Sequence, residues 1–338
     1  MQSSVLILTF VLVLVLILLI ARRRHRVNPP DTFSYDPETF GYDPETYTNL
    51  PNPPTPTNLV AFSELRYVTV FQYFTLRADN PERTRVYCLS NNDPSLLRQF
   101  VTTKLPGIKH SFKIILAHGD HGTSNLWTLL PPVLAHPRLL RVYMVNCDRA
   151  HPKLRSIPIG LDLHTTFFRE RIAPQAQEEI LHQIRQSLPR PYDRPAKAYS
   201  TATLVLSDAS PMHNLKGGRQ RIRDRFAQSM FIHLESEHVD RRESWLRHGE
   251  YLFVLSPAGN GLDCHRTWEA LILGNIPILQ HSPIDALYAD LPVAFVDSWD
   301  EITPQRLIEW KREFLHPSRV YNWDKLTWSY WKRFIEED

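Results

Sequence analysis

Hydrophobic positions fall into two regimes along the chain. From Val5 to Ala21 every residue but Thr9 is apolar, and at about 1.5 Å per residue such a run reaches roughly 25 Å, near the lower limit for crossing a bilayer. Further on, apolar residues come in short β-rich runs. Tyr67–Phe74, Arg85–Leu89, Lys113–Ala117, Arg141–Val145 and Ser156–Ile159 predict the strands of a first α/β domain. Pro174–Leu188 predicts a helix, with Ile180, Leu181, Ile184 and Leu188 on one face. After a break at Pro189–Pro195, a second series follows: Thr203–Ser207, Met230–Leu234, Tyr251–Leu255, Ile276–Leu279 and Val293–Val296. Strands alternating with helices imply parallel sheets covered on both faces, and two such domains in tandem form a cleft between their carboxyl edges. Trp323–Phe334 predicts a helix packed across the back of that cleft, its tryptophans in the core.

The organisation that follows is an anchor with a basic flank at 1–27, a stalk at 28–57, a first domain at 58–190 and a second at 196–338. The stalk is proline-rich and repeats Tyr35-Asp-Pro-Glu-Thr-Phe40 as Tyr42-Asp-Pro-Glu-Thr-Tyr47, a composition that extends rather than packs. The apolar run lacks the charged leader and the small-residue cleavage site of a secretory signal, so it reads as a retained single-pass membrane anchor. Arg22, Arg23, Arg24 and Arg26 follow it, which by the positive-inside rule leaves the large domain in the cytosol. Isolated Cys88, Cys147 and Cys264 have no metal-ligand spacing and imply no disulfide framework. A net charge of +3 excludes the strongly basic footprint of a nucleic-acid binder.

The chain holds only 11 glycines, so a pair in one loop carries information. Residues 251–279 combine a buried strand, a loop with Gly259 and Gly261, a helix beginning near Asp263–His265 and a second buried strand. Asp263 is the expected N-cap. The glycines admit a ligand to the backbone, and free N–H groups at the helix start favour phosphate. His265 and Arg266 stand at that positive end, and Glu269, one turn on, projects to the same side as Arg266. A cation for a diphosphate and a carboxylate for ribose hydroxyls suit a nucleotide-sugar donor. An ordinary strand–loop–helix unit with a surface Arg–Glu pair explains the same residues, since a glycine pair alone is a weak fingerprint.

Pro257, Gly259, Arg266, Glu269, Gly274, Ile276 and Pro277 together resemble the C-terminal signature of exostosin-like glycosyltransferases. Ala258, Cys264 and Asn275 depart from it, where that family typically has Arg, Ser and Cys. The likeness is strongest over 253–278. It extends faintly to Asn146, His151-Pro-Lys, Ile157-Pro-Ile-Gly160 and Leu291–Trp299. It implies a GT-B fold of two facing Rossmann-like domains. It also implies inverting transfer of a sugar from a nucleotide-diphosphate donor, UDP- or GDP-linked, to a hydroxyl on a glycan or glycoprotein acceptor. The family's habit places the catalytic part in the Golgi or ER lumen, against the charge rule. Lys216, Arg219 and Arg223 are the further candidates for diphosphate contacts, although each also suits a solvated helix face.

In the first domain, His118-Gly-Asp120-His121-Gly122 ends the strand Lys113–Ala117. Asp120 or His118 is the candidate general base for an acceptor hydroxyl. A polar turn, or a metallohydrolase site built on His118, Asp120 and His121, is the competing reading. Gly160-Leu-Asp162-Leu-His164 divides the same way. No Asp-x-Asp is present to hold a divalent ion under a diphosphate, so no metal and no cofactor beyond the donor are expected. A membrane-tethered binding protein that keeps the fold without turnover is the alternative from another class.

Overall fold

The computed structural model describes residues 85–163, 174–201 and 218–338. The anchor, the stalk, Tyr67–Phe74, Thr203–Ser207, His164 and Lys216 lie outside them. No helix among the described residues is long and apolar enough to cross a membrane. All described residues belong to one compact unit, Leu50–Asp338.

Four parallel strands, β1 (Arg85–Ser90), β2 (Phe112–Ala117), β3 (Leu139–Met144) and β4 (Leu154–Ser156), lie in that order in a first sheet. Strand periodicity divides β2 between two cores. Phe112, Ile114 and Leu116 pack with Leu97, Leu126, Leu130 and Val133 from helices α1 (Pro94–Gln99), α2 (Thr123–Leu126) and α3 (Leu130–Leu134). Ile115 and Ala117 face the other way, into a core shared with the second half of the chain. Burial on both faces is why β2 reads as a continuous apolar run rather than an alternating one.

The second sheet has the order β6-β5-β7-β8-β9, all parallel. Its strands are β5 (Ala198–Ser200), β6 (Ile232–Leu234), β7 (Phe253–Leu255), β8 (Ile276–Gln280) and β9 (Ala294–Val296). Helix α4 (Pro174–Ser187) precedes it; α5 (Gly218–Phe226) and α6 (Arg241–Arg247) flank β6, α7 (His265–Ile272) joins β7 to β8, and α8 (Pro304–Phe314) follows β9. One face of this sheet packs on Ile222, Phe226 and Trp310. Leu181, Ile184, Trp245 and Trp268 lie in the shared core with residues of the first sheet.

Helix α9 (Trp328–Glu337) returns to the first sheet. Lys113, the one charged residue of β2, is buried there and donates from Nζ to the Ile335 and Glu336 carbonyls at 2.5 and 3.2 Å. Those carbonyls are among the four that a helix end leaves without partners. Asp338 beyond them binds Arg141 and Arg155, both at 3.1 Å. Trp331 is buried, as expected of a core tryptophan, and Trp323 and Trp328 pack against the shared core.

Two expected boundaries are corrected. Within the predicted strand Ser156–Ile159 residues 157–159 are buried, but the ladder ends at Ser156, and Ile159 N–H turns to the Asp263 carboxylate instead of to β3. The α7 N-cap is Cys264 rather than Asp263, and no side chain caps it.

At the other end of α7, Gly274 takes φ +81° and sends its N–H to the Leu271 carbonyl, while Asn275 N–H returns to Ala270. Arg194 Nη2 donates to Leu273 O at 2.8 Å, and Arg185 donates to Ile272 O. A Cβ at Gly274 would lie 3.1 Å from Pro191 Cγ in a backbone region that L-residues avoid. Gly274→Ala is therefore expected to lower unfolding free energy by about 1–2 kcal/mol, read as a shifted urea midpoint at unchanged slope.

Candidate functional site

Strand order reverses between β5 and β7, and in an open parallel sheet the crevice outside the carboxyl ends at such a point is where ligands bind. The loop 256–264 leaves β7 at that crevice. Ser256 Oγ and Thr267 Oγ1, both buried, share a hydrogen bond of 2.9 Å that ties the loop's root to the first turns of α7.

Two guanidiniums converge on this loop. Arg266 Nη1 donates to Pro257 O at 3.2 Å, and no carboxylate pairs with Arg266 among the described residues. Arg219, in the first turn of α5, reaches over Gly259: a Cβ there would lie 3.4 Å from its Nη2 and 3.1 Å from Cys264 Sγ. Burial and then the neighbouring Arg266 charge lower the pKa of Arg219. Two like charges brought together, beside a helix start whose N–H groups no side chain caps, suit an anion with two negative charges better than one. Burial pushes the Cys264 thiol up, so it is neutral here.

Glu269 is held by Arg241, Nη2 to Oε1 at 2.5 Å. Arg241 is itself buried, lies over the Trp245 ring at 4.9 Å and contacts Gln177. Glu269 Oε2 makes no hydrogen bond among the described residues. His265 turns Nδ1 toward the first half of the chain, donating to Gly160 O at 2.8 Å. Arg223, one turn beyond Arg219, is exposed.

The carboxyl edge of the first sheet faces this loop. After β1, Asn92 Oδ1 accepts from the Asp120 and His121 N–H groups at 2.7 and 3.2 Å, while Asn91 Nδ2 donates to Gly119 O and His121 O at 3.0 and 2.7 Å. His118 takes φ +64° to start this turn. With its backbone held at both ends, Asp120 projects a carboxylate that has no hydrogen bond or ion pair among the described residues. His121 differs: its Nδ1 is buried and has no hydrogen-bond partner among the described residues. No group of three or more His, Cys, Asp or Glu among the described residues could hold a metal ion, and His118, Asp120 and His121 do not form one.

Asn146, at the end of β3, joins the two edges. Its Nδ2 donates to Asp120 O at 3.0 Å and its Oδ1 accepts from Asp263 N–H at 2.7 Å. Gly261 packs on that amide so closely that a Cβ would lie 2.3 Å from Nδ2. Gly261 is thus required by loop-to-loop contact, whereas Gly259 gives the room under Arg219.

No family model matches the chain, and no curated protein does. Solved structures give loose overlaps. A sucrose-phosphate synthase from Thermosynechococcus elongatus is 13% identical, with 86% of each chain covered and a TM-score of 0.37. An alpha1,3-fucosyltransferase is 10% identical, covering 79% of this chain and 95% of that one, with a TM-score of 0.35. A trehalose-6-phosphate protein from E. coli bound with UDP-2-fluoro glucose is 11% identical, covering 76% and 81%, with a TM-score of 0.33. At such scores the fold rests on the chain's own two parallel sheets.

Three contributors to the site had no signature in the sequence. Asn91 and Asn92 read as an ordinary polar turn after a strand. Arg241 sits 28 positions from Glu269, with nothing in its own helix to mark it as the partner.

Proposed function

We propose that the chain is a glycosyltransferase of the GT-B type, exostosin-like, that moves a sugar from a nucleoside-diphosphate donor to an acceptor hydroxyl on a glycan or glycoprotein. One observation carries this reading: Arg266, which pairs with no carboxylate among the described residues, converges with Arg219 on the switch-point loop, across from the Asp120 carboxylate, which makes no hydrogen bond or ion pair among them. Two fixed cations can stabilise a departing diphosphate without a metal ion. The open Glu269 Oε2 offers an acceptor for ribose hydroxyls. Asp120 is the general base: it takes the proton of the acceptor hydroxyl as that oxygen attacks the anomeric carbon. The bond from that carbon to the diphosphate oxygen breaks, and the nucleoside diphosphate leaves on the two arginines. Attack from the side opposite the leaving group inverts the anomeric carbon. The apolar run at 5–21 would hold the enzyme at a membrane; its basic flank favours the cytosolic face, and the exostosin likeness a Golgi or ER lumen.

Titration calorimetry of the 338-residue chain with UDP and with GDP tests the donor site. One of them is expected to bind, with Arg266→Ala weakening it by about 10- to 100-fold, the worth of a charge-assisted contact of about 1.5–3 kcal/mol. A folded wild type that binds neither nucleotide would remove the donor site from this crevice.

A further inference from the structure

Asn146 stands where the two halves of the site meet, and it is unusual in three independent respects. It is buried, 1% exposed, with both ends of its amide committed: Nδ2 to the Asp120 carbonyl and Oδ1 to the Asp263 N–H. Its backbone is in the left-handed region, φ +58°, where asparagine is tolerated better than other non-glycine residues. The facing residue, Gly261, leaves no space for even a methyl group beside that amide. Its own carbonyl in turn accepts from Thr123 N–H at 3.3 Å, fixing the start of α2 directly after the Asp120 loop.

Burial of a polar amide costs free energy unless its donor and acceptor are satisfied, and a glycine would meet the left-handed backbone here without burying any polar side chain. The amide here has a geometric consequence instead. One rigid group bonds the backbone of the residue assigned as base and the backbone of the donor loop, so the separation of the two loops equals the span of a single carboxamide. We infer that Asn146 is a positioning residue for the transfer: it sets the distance between the Asp120 carboxylate and the anomeric carbon of a donor held by Arg266 and Arg219, without touching either substrate. The inference rests on the reading of the site given above.

A residue of this kind separates from a binding residue in kinetics. Displacing the acceptor-side loop by an ångström leaves the diphosphate contacts in place, yet costs the chemical step about 10²-fold. Asn146→Gly removes both bonds while relieving the positive φ. Gly261→Ala leaves Asn146 present but pushes its amide aside. Both variants of the 338-residue chain would be compared with wild type in three measurements. These are affinity for UDP and GDP by calorimetry, nucleotide release from UDP- and GDP-sugars with and without oligosaccharide acceptors, and hydrogen exchange over 118–122 and 259–264.

The expected result is unchanged nucleotide affinity, transfer reduced by about 10²-fold, a larger share of donor lost to water, and faster exchange in both loops together. Nucleotide affinity falling in step with transfer would overturn the inference, because Asn146 would then support the donor site alone. Unchanged transfer in folded variants would overturn it as well, as would failure of both variants to fold, which would make the bridge purely structural. Wild type that binds neither nucleotide is a different failure: it removes the donor-site reading, and the inference with it.

Discussion

Asp120→Ala is expected to reduce transfer by about 10²–10⁴-fold, the range for loss of a general base, while nucleoside-diphosphate affinity stays where it was. The split follows from the geometry. The arginines that would hold the diphosphate belong to α5 and α7, and among the described residues Asp120 makes no hydrogen bond or ion pair with either. Its backbone is positioned by Asn92 and Asn146 through main-chain atoms only, so removing the carboxylate leaves the turn intact. Asp120→Asn should behave as Asp120→Ala does, since an amide keeps the shape and cannot accept the proton. Equal transfer by wild type and both variants would move the base elsewhere, and His118 on the same turn would be the next residue to replace. A wild type that binds nucleotide but transfers nothing to any acceptor would favour a binding protein with this fold.

Much of the architecture was legible because buried parallel strands are written as apolar runs. Phe112–Ala117 and Phe253–Leu255 are buried throughout, and both lie within or beside the runs that predict them. The helix at Pro174–Ser187 follows from periodicity in the same local way. The site was legible only in part. The Gly259–Arg266–Glu269 segment is local, so its loop and helix could be placed from spacing. What engages it is not: Arg241 on Glu269, Asn146 on Asp263 and Gly160 on His265 come from 28, 117 and 105 positions away. Hydrogen bonds between distant loops leave no periodic trace, and so Asp263 looked like a helix cap.

What Asp263 does instead supports the second large effect. Its side chain is 1% exposed, and its carboxylate accepts from Ile159 N–H at 2.7 Å, Trp268 Nε1 at 2.8 Å and Tyr288 OH at 2.7 Å. Burial, the largest influence, raises its pKa above the usual carboxylate range, although the three donors pull the other way. Asp263→Ala strands all three donors in the interior, and at about 1–3 kcal/mol for each unsatisfied buried group the expected loss is about 4 kcal/mol, a large part of the roughly 5–15 kcal/mol that holds a domain folded. Asp263→Asn discriminates the chemistry more finely. It keeps one oxygen for Trp268 and Tyr288 but turns an NH₂ toward the Ile159 N–H, setting donor against donor, for an expected loss of about 2 kcal/mol. Urea midpoints at unchanged slope would measure both. If Asp263→Asn were as stable as wild type, the oxygen facing Ile159 would not be what holds that N–H. If instead the asparagine variant loses stability as expected, the oxygen facing Ile159 fastens the donor loop to the segment that follows β4. The loop that leads into α7 and Arg266 is then ordered before any ligand arrives, and the cost of ordering it has already been met in folding.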